Sequence, residues 1–143
     1  MIINKTNGFL TFEEVVLSPK TAYTSLRLAF PNNNIWEVGN GYVWIYFSDI
    51  AIADKTFHLS VCFFHEQLHL VDFWFQCKGE KIITDWNDWS EEYELAQQRK
   101  FDQWLTEQIG KECQFAWGSI GAYYDRKSAA SGIVVDYKIE KTM

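Results

Sequence analysis

Apolar and polar residues alternate in steps of two through much of residues 35–77 and again near 114–139, and a stretch with helical spacing lies between them. Alternation at period two marks strands with one face turned to a core, and recurrence near every third or fourth residue marks a helix. In IWEVGNGYVWIYF, Asn40-Gly41 separates two alternating segments and suits a type I′ turn, which predicts a hairpin pairing Val38 with Val43 and Trp36 with Ile45. Its second strand runs to about Ile52, and ADKT turns the chain. TFHLSVCFF and QLHLVDFWFQC form the next hairpin around His65-Glu66, with Phe63 opposite Leu68, Val61 opposite Leu70 and Cys62 opposite His69. FLTFEEVVL reads as an earlier strand, and a final hairpin pairs about 114–124 with 131–139.

Two helices fit the remaining pattern. Ser18 is a suitable N-cap and Pro19 a suitable first helical residue for a short helix near 19–28, with Ala22, Leu26 and Ala29 on one face and Phe30, before Pro31, ending it. A long helix near 88–109 opens with Asp88 as N-cap and Glu91 three residues on. Trp89, Tyr93, Ala96, Phe101, Trp104, Leu105 and Ile109 recur along it, and Gly110 terminates it. The expected fold class is α+β: residues 1–143 as a single domain, with a mostly antiparallel sheet of six or seven strands and the short and long helices packed on one face. Leu26, Trp36, Ile45, Leu59, Val61, Leu70, Phe73, Phe101, Leu105, Trp117, Val135 and Tyr137 are its expected core.

Composition narrows the functional classes. Aromatic residues make up 17% of the 143 positions, 7 of them Trp, which argues against disorder and supplies anchors for a core or an interface. The net charge of −6 argues against nucleic acid, whose binding needs a cationic face, and suits a basic protein partner. No apolar run is long enough to span a membrane, and no apolar segment of the signal-peptide kind follows MIINKTNGFL. Together with three cysteines, Cys62, Cys77 and Cys113, that lack a C-x-x-C spacing, this predicts a cytoplasmic protein with reduced thiols and no membrane partner.

Three groups of residues carry candidate chemistry. His58, Cys62 and His69 share one face in the predicted hairpin, where Cys and His could ligate a metal or form a thiolate–imidazole pair. The ligand set is incomplete, so a small apolar Cys beside solvated His side chains is the simpler reading. DWNDWSEEYE concentrates acid around rings: Asp85, Trp86, Asp88, Trp89, Glu91, Glu92 and Glu94. Negative charge at a helix start complements the dipole, whereas acids interleaved with aromatic anchors make a surface for a basic protein. Arg126 and Lys127, in YDRKSAASG, mark the exposed tip of the last hairpin or, alternatively, an anion site. No nucleophile elbow, zincin motif or P-loop occurs, and no cofactor is expected.

The run W-x-x-W-S-x-x-x-E at 86–94, the helix ending in Trp104-Leu105, then WGSIGAYYDRKS and IVVDY resemble a group of small bacterial proteins of unassigned function, over about the last 60 residues. That resemblance carries no catalytic residue across. By size, acidity and layout alone, the chain is similar to small immunity proteins that neutralise bacterial toxins, which implies a non-enzymatic inhibitor of a basic toxin. The alternative is a small-ligand binder or enzyme with an aromatic pocket between sheet and long helix. Self-association into a homodimer through strand edges is a third reading.

Overall fold

A computed structural model describes residues 1–80, 87, 89–111 and 113–138. In chain order the elements are β1 (Ile2–Ile3), β2 (Leu10–Phe12), β3 (Val15–Leu17), α1 (Tyr23–Ala29), β4 (Ile35–Gly39), β5 (Tyr42–Ile52), β6 (Lys55–Phe64), β7 (Gln67–Cys77), α2 (Glu91–Ile109), β8 (Gln114–Phe115), β9 (Gly118–Asp125) and β10 (Ala130–Tyr137). They form an α+β structure with a 7-stranded sheet in the order β4-β5-β6-β7-β10-β9-β8 and a 3-stranded sheet in the order β1-β2-β3. Every pairing in both sheets is antiparallel.

The large sheet has one covered face. Ile45, Phe47, Phe57, Leu59, Val61, Phe63, Leu68, Val71, Phe73, Phe75, Ile120, Ile133 and Val135 are all buried there. Phe101, Trp104, Leu105 and Ile109 of α2 recur at helical spacing and are buried against it. Trp104 packs on Phe57, Phe73 and Phe75, with ring centroids 5.9, 6.0 and 5.4 Å away. At the other end of the same face, Phe47 meets Phe12 of β2 edge-on at 5.3 Å and Phe30 after α1 at 5.0 Å. Removing such rings from water is the main stabilising term, on the order of 1.5–3 kcal/mol for each fully buried side chain.

Several expectations meet corrections with local causes. FLTFEEVVL is a hairpin, since Glu13 and Glu14 take φ of 46° and 68° and fold β3 back on β2. The short helix starts at Tyr23, because Ser18 instead holds a turn, its Oγ accepting from Lys20 N–H at 3.2 Å. The first turn of α1 is capped from a distance. Thr24 N–H donates to the Glu66 carboxylate at 3.1 Å, and Tyr23 N–H donates to the Glu66 carbonyl at 3.1 Å. The long helix starts at Glu91 with Ser90 as N-cap, its Oγ accepting from Tyr93 N–H at 3.1 Å; Asp88 lies outside the described residues.

Two bulges reset the predicted registers. Gly39 pairs with Tyr42 as a two-residue turn requires, but a shift at Val38 then sets Glu37 opposite Val43 and Trp36 opposite Trp44. In the next hairpin, Phe63 faces Leu68 as expected, but the extra residue His69 sets Cys62 opposite Leu70 and Val61 opposite Val71. The core forecast holds for Leu26, Ile45, Leu59, Val61, Phe73, Phe101, Leu105, Val135 and Tyr137. Trp36 is 56% exposed because β4 is an edge strand, and Leu70, on the uncovered face, is half-buried. Trp117 is also half-buried, in the turn between β8 and β9 rather than on a strand, stacked on Tyr137 at 4.7 Å.

Candidate functional site

The register fixes what lies on the opposite face of the large sheet. Trp36, Trp44, Cys62 and Leu70 form one row across β4 to β7, Tyr46, Ser60 and Asp72 the next, and His58 and Trp74 a third. Among the described residues neither helix packs on this face, and most of its side chains are partly exposed. Its rings stack on one another: Trp44 on Tyr46 at 6.5 Å and 9°, and His58 on Trp74 at 4.3 Å and 21°. Trp36 and Trp74 are 56% and 38% exposed, unusually open for side chains of that size.

At one end this face opens into a cleft of about 370 Å³. The β7–β10 ladder runs from Leu70–Asp136 to Phe73–Ile133 and stops there. β7 continues with β6 to Cys77, while β10 leads back into its hairpin with β9. Trp74 on one side and Ala130 and Ser131 on the other line the gap, with Tyr93, Glu94, Gln97 and Phe101 of α2 against it. Ser60, Asp72, Tyr123 and Ala129 complete the lining. Tyr123 Oη donates to both oxygens of Asp72 at 2.9 Å. Burial raises the Asp72 carboxyl above the usual aspartate range, although the Tyr123 hydrogen bond opposes the shift. Burial, then the Asp72 charge, pushes the Tyr123 hydroxyl far up, so it stays a donor. Glu94 is only 8% exposed and accepts from Ser131 Oγ at 2.7 Å.

The acidic helix start and the basic hairpin tip, separate in the sequence, meet in space. Arg126 lies 3.1 Å from the Glu91 carboxylate, and Glu94, one helical turn on, holds Ser131 on the far side of the same loop. Glu92 is exposed, Trp89 is half-buried before the helix, and Asp85, Trp86 and Asp88 lie outside the described residues. Lys127 is exposed, its N–H donating to Asp125 at 3.0 Å as in an Asx turn. An anion reaching the tip would compete with Glu91 for Arg126.

His58, Cys62 and His69 take separate places on the sheet: His58 opposite Trp74, Cys62 opposite Leu70, and His69 at the bulge between Leu68 and Leu70. His58 Nδ1 accepts from Asp49 N–H at 3.4 Å, and His69 lies against Tyr42 at 5.7 Å. Cys62 is buried, and burial pushes its thiol up to about 11, the reverse of an activated thiolate. Among the described residues no group of three His, Cys, Asp or Glu is placed to hold a metal. The residues missed in the sequence are Asp72, Trp74, Tyr123, Trp44 and Tyr46. The available signal was the second set of alternating positions, where aromatic and polar types mix.

No family model matches the chain, and no curated protein matches it in sequence. A chain of the solved complex "Rhs1-CT in complex with cognate immunity protein RhsI1" shares the fold, with a TM-score of 0.58 at 16% identity over 96% of this chain and 87% of that one. The expected architectural likeness is thus met as a fold shared with a chain of that complex. Among the described residues no helix is long and apolar enough to cross a membrane.

Proposed function

We propose that this chain is a protein-binding module of the immunity type, which blocks a basic bacterial toxin in the cytoplasm rather than carrying out chemistry itself. The observation that carries this reading is the uncovered sheet face, with exposed Trp36 and Trp74 and stacked Trp44–Tyr46, on a fold shared with a chain of an immunity complex. Large rings of this kind are the usual anchors of tight interfaces. The net charge of −6 and the Asp72 and Glu94 carboxylates complement a cationic partner and speed its encounter.

The test is co-production with the protein encoded beside this chain. The neighbour's product alone should arrest growth, and this chain should restore it by direct binding. A harmless neighbour, or growth that stays arrested in spite of equal amounts of this chain, would refute the reading.

A second reading has its own observation. The 370 Å³ cleft lies between sheet and long helix, where a small-ligand site was anticipated, and its size falls within the range of ligand pockets. Quenching or shift of Trp fluorescence by a small metabolite, with no protein partner bound, would favour it.

A further inference from the structure

We infer that the cleft between β7, β10 and α2 is a receptor for a single arginine side chain presented by the protein partner, a reading that rests on the proposed protein-binding role. Five lining residues carry the inference: Asp72, Trp74, Tyr93, Glu94 and Tyr123. Among the described residues no Lys or Arg lines the cleft. Two nearby cations are engaged elsewhere: Lys100 with Glu80 at 2.9 Å and with the Phe75 carbonyl at 3.1 Å, and Arg126 with Glu91.

Glu94 is the second, independent observation. It is more than nine-tenths buried, yet among the described residues only its Oε2 receives a hydrogen bond, from Ser131. A carboxylate has room for several donors, so Glu94 keeps acceptor capacity for a donor that arrives in the cleft. Asp72 receives donation only from Tyr123 among the described residues, and burial already disfavours its charge. A cation entering the cleft beside Asp72 would stabilise its ionised form.

Two features favour arginine over lysine. Its planar guanidinium stacks on aromatic faces, and Trp74 and Tyr93 line the cleft. Its forked donors can address two carboxylates at once, whereas an ammonium is a point charge. The volume is many times the roughly 30 Å³ share of one water, so a side chain fits.

The probe is N-acetyl-arginine methylamide, titrated into the intact chain while the Trp74 indole N–H is followed by NMR, assigned with W74F. Neutral N-acetyl-citrulline methylamide, of nearly the same shape, is the control. The arginine probe should shift Trp74 saturably with a millimolar Kd, and the lysine analogue should bind severalfold more weakly. Citrulline should not saturate; D72N should weaken the arginine probe at least fivefold with amide spectra otherwise unchanged, and E94Q should do so with amide changes confined to the loop that Glu94 holds through Ser131. If E94Q loses the fold, D72N and the arginine–citrulline comparison still decide. Equal shifts by citrulline, unchanged affinity in D72N, or no saturable shift would overturn the proposal. Growth rescue with no arginine binding would remove the cleft assignment alone. Arginine binding with no toxin neutralised would keep the cleft and remove the immunity role.

Discussion

Asp72 and Glu80 show how two carboxylates in one small protein come to oppose each other in their effect on stability. For Asp72, burial dominates and lifts the folded-state pKa above its unfolded value. The ionised form therefore costs stability at neutral pH, and the cost disappears as pH falls through the folded value toward the usual aspartate value of about 3.9. Burial also raises Glu80, but the Cys77 N–H, Lys100 and Gln97 hydrogen bonds outweigh it and leave the carboxyl below the usual range. Its contribution is present above the ordinary glutamate value, and is lost as pH falls through the depressed one. D72N should therefore melt at or above the parent temperature at pH 7, with the advantage shrinking toward pH 4, whereas E80Q should melt lower at pH 7 and converge with the parent in acid. Thermal melts across pH check both, and a D72N deficit at pH 7 that persists at pH 4 would contradict the assignment. Gly118 is constrained differently. A Cβ there would run into the Asp136 carbonyl of β10, a backbone atom that cannot swing away. Gly118→Ala should cost stability at the upper end of the ordinary ~0.5–3 kcal/mol range, read by chemical denaturation.

Helix α1 owes its start to another element. Its N-cap residue Ala22 makes no side-chain cap, and the carboxylate that serves the first turn comes from Glu66, in the β6–β7 turn. Glu66→Ala should cost about 0.5–2 kcal/mol, as loss of an N-cap does, and should lower amide protection in α1 well before the β6–β7 ladder loosens. Equal loss of protection in both would mean that Glu66 serves the hairpin rather than the helix. No local pattern announces this contact, because its partners lie 42 residues apart. The strands themselves were largely legible, since period two states which residues share a face, and β5, β6, β7 and β10 carry it over long runs. The bulges at Val38 and His69 were not, because an inserted residue leaves the composition of a strand unchanged while turning over everything beyond it. Trp36 was misplaced for a related reason: alternation gives a residue's face but not its strand's position in the sheet, and β4 is at the edge.

At the scale of the whole molecule, both helices crowd one side of the large sheet and leave the other to aromatic and acidic side chains. Part of this was visible in the sequence as excess tryptophan and net negative charge, but which rings stay exposed depended on where helices 23–29 and 91–109 dock. The acidic helix start, anticipated as a binding surface, turns out to be joined to the hairpin tip through Arg126–Glu91, so changing Glu91 or Glu94 also disturbs the loop they hold. The cleaner comparison sets the open face against the tip. Trp36→Ala with Trp74→Ala removes two rings separated by three strand spacings of roughly 4.8 Å across the sheet and by two rows along it. Both are more than one-third exposed, so the melting temperature should move only a few degrees. If these rings anchor the partner found by growth rescue, the pair should raise its dissociation rate about a hundredfold or more, since central aromatic anchors are worth ~2 kcal/mol or more apiece. Arg126→Ala with Lys127→Ala breaks an ion pair whose side chains are 77% and 46% exposed, a contact worth ~0–1 kcal/mol at most. It also removes two positive charges, so association with a basic partner should hold or quicken at low salt and slow less than twofold in any condition. Surface plasmon resonance at two ionic strengths reads both rates. Binding lost in the Arg126/Lys127 variant and unchanged in the tryptophan variant would move the interface to the hairpin tip and remove the open face from the proposal.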